Sequence, residues 1–270
     1  MILKGIGILS LVLAAVAGVM GNIWLLPVYF IGSFVGLFLL AVLFCLAVCA
    51  TVDTDKPVDQ ENPFYRTVLY PYVELLIDLF LVKLQTAGLE KTPTDGRFLL
   101  VCNHQQFADP GILLHCFSKS QLTFISKQEN RKLPVISKFM HAIRCQLIDR
   151  DNDRQALRAI IECIRMIKDD EASVAVFPEG YTSQDGKVRH FRPGVFKIAQ
   201  KAAVPIVVCT IRGTRPLFHN VKKLKRTPVE LHLVEVIPAA ELAGKTTVEI
   251  SDRVYASMIA DLGEEYRAAE

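Results

Sequence analysis

The sequence predicts an α/β body, a mixed, largely parallel sheet flanked by helices, behind an N-terminal transmembrane or re-entrant helical hairpin. Three observations carry that expectation. Charge is segregated: of the 31 basic and 28 acidic side chains in 270 residues, residues 1–51 hold one, Lys4. That stretch is two long apolar runs with a turn signal between them. Beyond it, short apolar runs bounded by turn residues alternate with segments of helical period, the pattern of a sheet with helical crossovers. At 51% hydrophobic and 22% charged the chain is too apolar for disorder. The organisation read from this is a membrane-anchoring hairpin over 1–52, a connector and amphipathic helix over 53–81, and an α/β domain over 82–270, long enough to bury a substantial core.

The first apolar run, from Gly5 to Met20, is about 16 residues and short for a full bilayer crossing, whereas the second, from Trp24 to Thr51, is long enough. Gly21-Asn22 marks the turn between them. No small-residue cleavage pattern precedes a polar start, and the second run would persist as an anchor, so the pair reads as an anchor and not a cleaved signal. If both runs cross or dip into one leaflet, the N-terminus and the body share a side. Lys4 then points to the cytoplasmic one. After the polar connector 53–62, the segment 65–81 sets Leu69, Val73, Leu76, Ile77 and Phe80 near one face. This amphipathic helix fits either the bilayer surface or the body.

From residue 82 the expected strands are 82–86, 98–102, 122–126, 146–148, 173–177, 205–211 and 229–237. The expected helices are 109–117, 133–143, 153–168, 194–203 and 247–262, with Leu157, Ile160, Ile161, Ile164 and Ile167 the clearest stripe. In open α/β sheets ligands sit beyond strand ends, which directs attention to the residues just past each strand.

The strand 98–102 runs into Asn103-His104-Gln105-Gln106-Phe107-Ala108-Asp109-Pro110. A carboxylate bonded to one imidazole nitrogen fixes the tautomer and raises the basicity of the other, as a general base for an alcohol requires. By spacing alone the pair serves equally as a buried histidine beside a helix N-cap. Strand 173–177 ends in Pro178-Glu179-Gly180, a carboxylate and a flexible glycine that also fit an exposed turn. Arg150 and Lys127 close two further strands, and converging cations at strand ends make a phosphate pocket. Singly, each is an ordinary solvated charge.

The chain has no G-x-S-x-G elbow, P-loop or H-E-x-x-H helix, which disfavours a serine hydrolase, a P-loop NTPase and a zincin. Seven cysteines without a CxxC pair indicate neither a disulfide framework nor a zinc site, and read as reduced thiols facing a cytosol. The body's near-balanced charge gives no reason to expect nucleic acid. A base without an evident protein nucleophile implies that the substrate's own hydroxyl attacks, and beside an anchor that hydroxyl is expected to belong to a lipid.

These elements, in order, resemble the lysophosphatidic acid acyltransferase (1-acylglycerol-3-phosphate O-acyltransferase) family of glycerolipid acyltransferases. The likeness rests on His104-x4-Asp109, Gln146-Leu147-Ile148-Asp149-Arg150, Phe177-Pro178-Glu179-Gly180 and the weaker Val204-Pro205-Ile206-Val207-Val208, with Ser126-Lys127-Gln128-Glu129 and 191–197 between them. It implies the glycerolipid acyltransferase fold, and phospholipid biosynthesis at a membrane by acyl transfer to 1-acylglycerol 3-phosphate, giving phosphatidic acid. His104 would deprotonate the acceptor hydroxyl for direct attack on an acyl thioester, with Asp109 supporting the imidazole. Glu179 and Gly180 would shape the acceptor site, and Arg150 and Lys127 would hold the phosphate. The donor would be acyl-CoA or acyl-acyl carrier protein, with no cofactor or metal. One departure stands out: members commonly follow Glu-Gly with Thr-Arg, and Tyr181-Thr182 removes that cation here. Phosphate binding then falls to Arg150, Lys127 or Arg189, or the acceptor is another one, such as glycerol 3-phosphate, another lysophospholipid or an amino-acid lipid. A non-catalytic membrane-bound lipid-binding protein is the alternative of a different class. The basic run 219–226 reads as an anionic-lipid contact, a solvated loop or a site for an acidic carrier protein.

Overall fold

A computed structural model describes residues 1–149 and 152–268. In chain order the elements are α1 (Ile2–Met20), α2 (Leu26–Ala50), α3 (Pro63–Leu79), β1 (Val82–Ala87), β2 (Leu99–Cys102), α4 (Asp109–Cys116), β3 (Leu122–Lys127), α5 (Pro134–Ala142), β4 (Gln146–Ile148), α6 (Asp153–Lys168), β5 (Ser173–Val176), α7 (Lys197–Ala202), β6 (Ile206–Arg212), α8 (Leu217–Lys222), β7 (Thr227–Ile237) and α9 (Thr247–Leu262). They form two compact units, residues 1–79 with 133–143, and residues 80–132 with 144–270. The helix at 133–143, expected from the sequence, therefore packs with the N-terminal helices.

In the first unit α1 and α2 pack as a hairpin. Asn22 caps the intervening turn by accepting from the Trp24 amide at 3.0 Å. The buried positions of α1 are Ile6, Ser10, Ala14 and Gly18, one residue per turn. Three of the four are small, which lets the helices approach: a Cβ on Gly18 would lie 2.8 Å from Leu26. The outer faces remain apolar and exposed, with Ile8, Leu11, Val12, Trp24, Ile31 and Leu40 among them. Both helices are long and apolar enough to cross a membrane. At 19 residues α1 is about 28 Å long, close to the ~30 Å of a hydrocarbon core. Helix α3 buries Leu69 and Val73 as its pattern predicts, but also Leu75 and Arg66. It packs against both α1 and α5 and is covered on two sides, which leaves Leu76 exposed.

The second unit is a seven-stranded sheet in the order β1-β7-β6-β2-β5-β3-β4. All neighbours are parallel except β6 and β7. Strands β2 and β5 are buried along their whole length, which is why they read as unbroken apolar runs instead of alternating ones. One core packs Leu99, Val101, Val174, Val176, Ile206 and Val208 against α6, α7 and α9. On α6, Cys163, Met166 and Ile167 belong to this core, and Ile160 and Ile164 of the expected stripe pack against it partly buried. Leu157 and Ile161, at the margin of the expected stripe, are exposed. Helix α9 opens with a capping box between Thr246 and Glu249. Among the described residues no disulfide joins any of the seven cysteines.

Candidate active site

Because β2, β3, β4, β5 and β6 run the same way, their C-terminal ends share one edge, and the catalytic candidates gather there. The chain leaves β2 through Asn103, which is 1% exposed and clamps β6: its Nδ2 donates to the Ile211 carbonyl at 2.9 Å and its Oδ1 accepts from the Ile211 amide at 2.8 Å. His104 comes next, held through its own backbone. Its amide donates to Glu179 Oε1 at 3.0 Å and its carbonyl accepts from the Ser183 amide at 2.8 Å.

His104 Nδ1 lies 2.9 Å from Asp109 Oδ2. The same oxygen accepts from the amides of Gln105 at 2.7 Å and Gln106 at 2.8 Å. The His-x4-Asp spacing thus works by curling the loop around one carboxylate oxygen at the start of α4. Asp109 is wholly buried, and its Oδ1 has no partner. An acid with two backbone donors on Oδ2 is suited to accept a third bond from Nδ1–H, leaving Nε2 as the ring's acceptor. Nε2 has no hydrogen bond among the described residues, and the side chain keeps 16% exposure. The imidazole stacks on Phe177, ring centroids 4.1 Å apart, which fixes the plane of the ring while Asp109 holds its Nδ1 edge.

Glu179 follows β5. It is 2% exposed, with Oε1 on the His104 amide and Oε2 accepting from the Arg189 amide at 3.2 Å. Burial pushes its carboxyl up to about 7, outweighing the two backbone donors that favour the ionised form. Gly180 sits at φ +79°, the left-handed region, and a Cβ there would lie 3.1 Å from Arg192 Nε. His104, Asp109, Glu179 and Gly180 are thus brought together. Arg189 joins them only through its amide, since its guanidinium makes a bidentate pair with Asp185 at 2.9 and 2.7 Å. Lys127 stands exposed at the end of β3, on the same edge, without an ion pair to the other candidates among the described residues. Arg150 lies outside the described residues.

Three contributors were not assigned from sequence. Phe177 and Ser183 act on His104 by stacking and by backbone hydrogen bonding, which no residue type signals. Arg192 is exposed, has no ion pair among the described residues, and lies over Gly180 with its amide on the Pro178 carbonyl at 2.9 Å. Its signal was available in the Phe191-Arg192-Pro193-Gly194 run, where a cation precedes a turn.

The chain is similar to known proteins. The family described as Acyltransferase matches residues 83–212, which takes in every candidate named above. A probable 1-acyl-sn-glycerol-3-phosphate acyltransferase of Mycoplasma genitalium is 31% identical over 197 residues, 72% of each chain. Its Mycoplasma pneumoniae counterpart is 34% identical over 171 residues, 60% of this chain and 63% of that protein. A chloroplastic relative from Brassica napus, 36% identical over 133 residues, is matched over only 38% of its length. The chain belongs to the 1-acyl-sn-glycerol-3-phosphate acyltransferase family. Its fold is shared by the crystal structure of the Thermotoga maritima 1-acyl-sn-glycerophosphate acyltransferase PlsC, with a TM-score of 0.63 at 22% identity over 99% of this chain and 100% of that one.

Proposed function

We propose that this protein transfers a fatty acyl group from an acyl thioester to the free hydroxyl of 1-acylglycerol 3-phosphate, producing phosphatidic acid for phospholipid synthesis. The observation that carries this reading is the His104–Asp109 pair at 2.9 Å, with Nε2 unbonded at the strand-end edge. Nε2 takes the hydroxyl proton as the oxygen attacks the thioester carbonyl. The tetrahedral adduct then collapses, the C–S bond breaks, and the imidazolium returns the proton to the departing thiolate, so the ring ends neutral and a free thiol leaves. Such general-base action is worth roughly 10² to 10⁴-fold, and positioning the two substrates adds to it. No acyl-enzyme is needed. Cys102, the thiol nearest in sequence to His104, is fully buried and pushed well up by desolvation, so it is a poor nucleophile.

The phosphate is met by Lys127 and Arg192, two cations at this edge without an ion pair among the described residues, with Glu179 and Gly180 shaping the acceptor side. The donor is acyl-CoA or an acyl-acyl carrier protein. The α1–α2 hairpin lies in the bilayer and the catalytic domain on the cytoplasmic face, supported by Lys4 and by seven cysteines without a disulfide or a CxxC pair, as suits a reducing compartment. The Tyr181-Thr182 pair favours a second reading, the same chemistry on a different head group. The test is a matrix of acyl-CoA and acyl carrier protein donors against lysophosphatidic acid, glycerol 3-phosphate and other lysophospholipids, using the full chain in vesicles with products identified. Phosphatidic acid is expected from lysophosphatidic acid. His104→Ala is expected to abolish it with melting and vesicle association unchanged, and unchanged turnover in that variant overturns the base assignment.

A further inference from the structure

The turn between α8 and β7 concentrates charge that the proposed chemistry leaves unused. Lys222, Lys223, Lys225 and Arg226 are all exposed and make no ion pair among the described residues. Between them Leu224 is 85% exposed, one of the most exposed large apolar side chains of the second unit. The turn is well tied down. The Lys223 and Lys225 amides both bond the Asn220 carbonyl, at 3.0 and 2.9 Å, the Leu224 amide bonds the Val221 carbonyl at 3.0 Å, and Asn220 Nδ2 reaches Thr227 Oγ1 at 3.1 Å. This framework holds Leu224 outward at φ +52°, a left-handed conformation unfavourable for a residue with a Cβ. A solvated basic loop has no use for a leucine so held. Cations around an outward apolar side chain do match an anionic bilayer surface, where the charges meet head groups and the apolar tip meets the acyl boundary.

Its place in the fold agrees. β6 runs parallel to β2 and β7 returns antiparallel, so the connection 213–226 lies at the same sheet edge as His104. The Thr227 amide bonds the Leu81 carbonyl at 3.0 Å, and Phe80 packs edge-on to Phe218 of α8 at 5.4 Å. Phe80 and Leu81, the first residues of the second unit, therefore lie beside this turn.

We propose that residues 222–226 form a membrane-contacting platform, in which Lys222, Lys223, Lys225 and Arg226 engage anionic lipid head groups, Leu224 enters the interface, and the His104 edge is held against the bilayer. The proposal rests on reading α1 and α2 as a bilayer anchor. To test it, the full chain carrying L224W in a W24F background is reconstituted in vesicles whose acyl chains are brominated, made of phosphatidylcholine alone or of equimolar phosphatidylcholine and phosphatidylglycerol. The introduced indole is expected to be quenched in the anionic vesicles and little in the neutral ones. Each cation near an anionic surface is worth about fivefold in partition. Adding K222Q, K223Q, K225Q and R226Q therefore reduces the quenching to the neutral-vesicle level, as does high salt. Co-flotation of the chain with vesicles at high salt reports the anchor separately. A chain that floats but shows no quenching in anionic vesicles, or equal quenching without the four charges, overturns the platform alone. A chain that does not float overturns the anchor and the platform with it. If the four substitutions spare quenching and acyl-CoA turnover but weaken use of an acyl carrier protein, the turn is a protein dock and the lipid proposal fails.

Discussion

Replacing Asp109 separates its two tasks, because one oxygen performs both. Oδ2 holds the Gln105 and Gln106 amides as well as His104 Nδ1. Asp109→Ala strips the acceptor from both amides. At about 1–3 kcal/mol for each donor left unsatisfied, the fold is expected to lose about 2–6 kcal/mol, and the loop carrying His104 to lose its shape. Asp109→Asn keeps an oxygen in the Oδ2 position, where the two amides select it over the amide nitrogen, at the cost of a buried NH2 that finds no acceptor among the described residues at the Oδ1 position. The loop and the tautomer are retained, while the charge facing the imidazolium formed during transfer is removed. A hydrogen bond to a charged group is worth about 1.5–3 kcal/mol, so turnover in D109N is expected to fall about 10- to 150-fold. Initial rates of acyl transfer from acyl-CoA to lysophosphatidic acid in vesicles, beside thermal melting of each variant, read the two effects independently. Full activity in D109N refutes the electrostatic role. Wild-type melting in D109A refutes the account of how the carboxylate pins the loop.

Glu179 predicts a pH dependence of stability. Its folded value of about 7 lies above the ordinary 4.5, so the native state holds the proton more tightly. The contribution is complete below 4.5 and is lost as pH rises through about 7, amounting to about 3 kcal/mol at most. Unfolding free energy of the wild type minus that of Glu179→Gln should fall over this window, and parallel curves count against the assignment. Arg192→Gln is expected to raise KM for lysophosphatidic acid about 10- to 100-fold, the scale of a charge-assisted bond. Arg189→Gln, whose guanidinium is occupied by Asp185, should change KM little, and the reverse order of effects would show that the wrong cation has been assigned. Gly180→Ala should cost about 1–2 kcal/mol for a Cβ at positive φ, with a further rise in KM because Arg192 must shift; melting and steady-state kinetics give both numbers.

How much of this was legible in the sequence depended on how local the determining physics was. All seven strands were expected, and their ends differ from those observed by two residues at most, since runs such as 99–102 and 173–176 are buried on both faces and stop abruptly at Asn103 or before Pro178. Helix α8 was missed because six residues give less than two turns of periodicity, and the neighbouring charge dominated the reading. A mixed, largely parallel sheet was expected, but that β7 is the strand that reverses was not, for strand direction is set by the path of the connection and not by the strand's composition. At the site, His104 with Asp109 was legible because a four-residue gap closes locally. The convergence of Glu179 on His104 is a bond between residues 75 apart, and it became visible only once β2 and β5 were neighbours. Arg189 was expected to bind phosphate and Arg192 was not singled out, because the pairing of the Arg189 guanidinium with Asp185 depends on how the loop folds.

Asn103 grips β6, Glu179 holds the next amide and Ser183 the next carbonyl, so the peptide units flanking the imidazole are fastened from three separate directions. On the proposed mechanism, a base fastened this way has little freedom to follow its reactants, and the acceptor and the donor have to be brought into line with it. Retuning the acyl-chain preference by mutation is then expected to be achievable without touching the loop that carries His104.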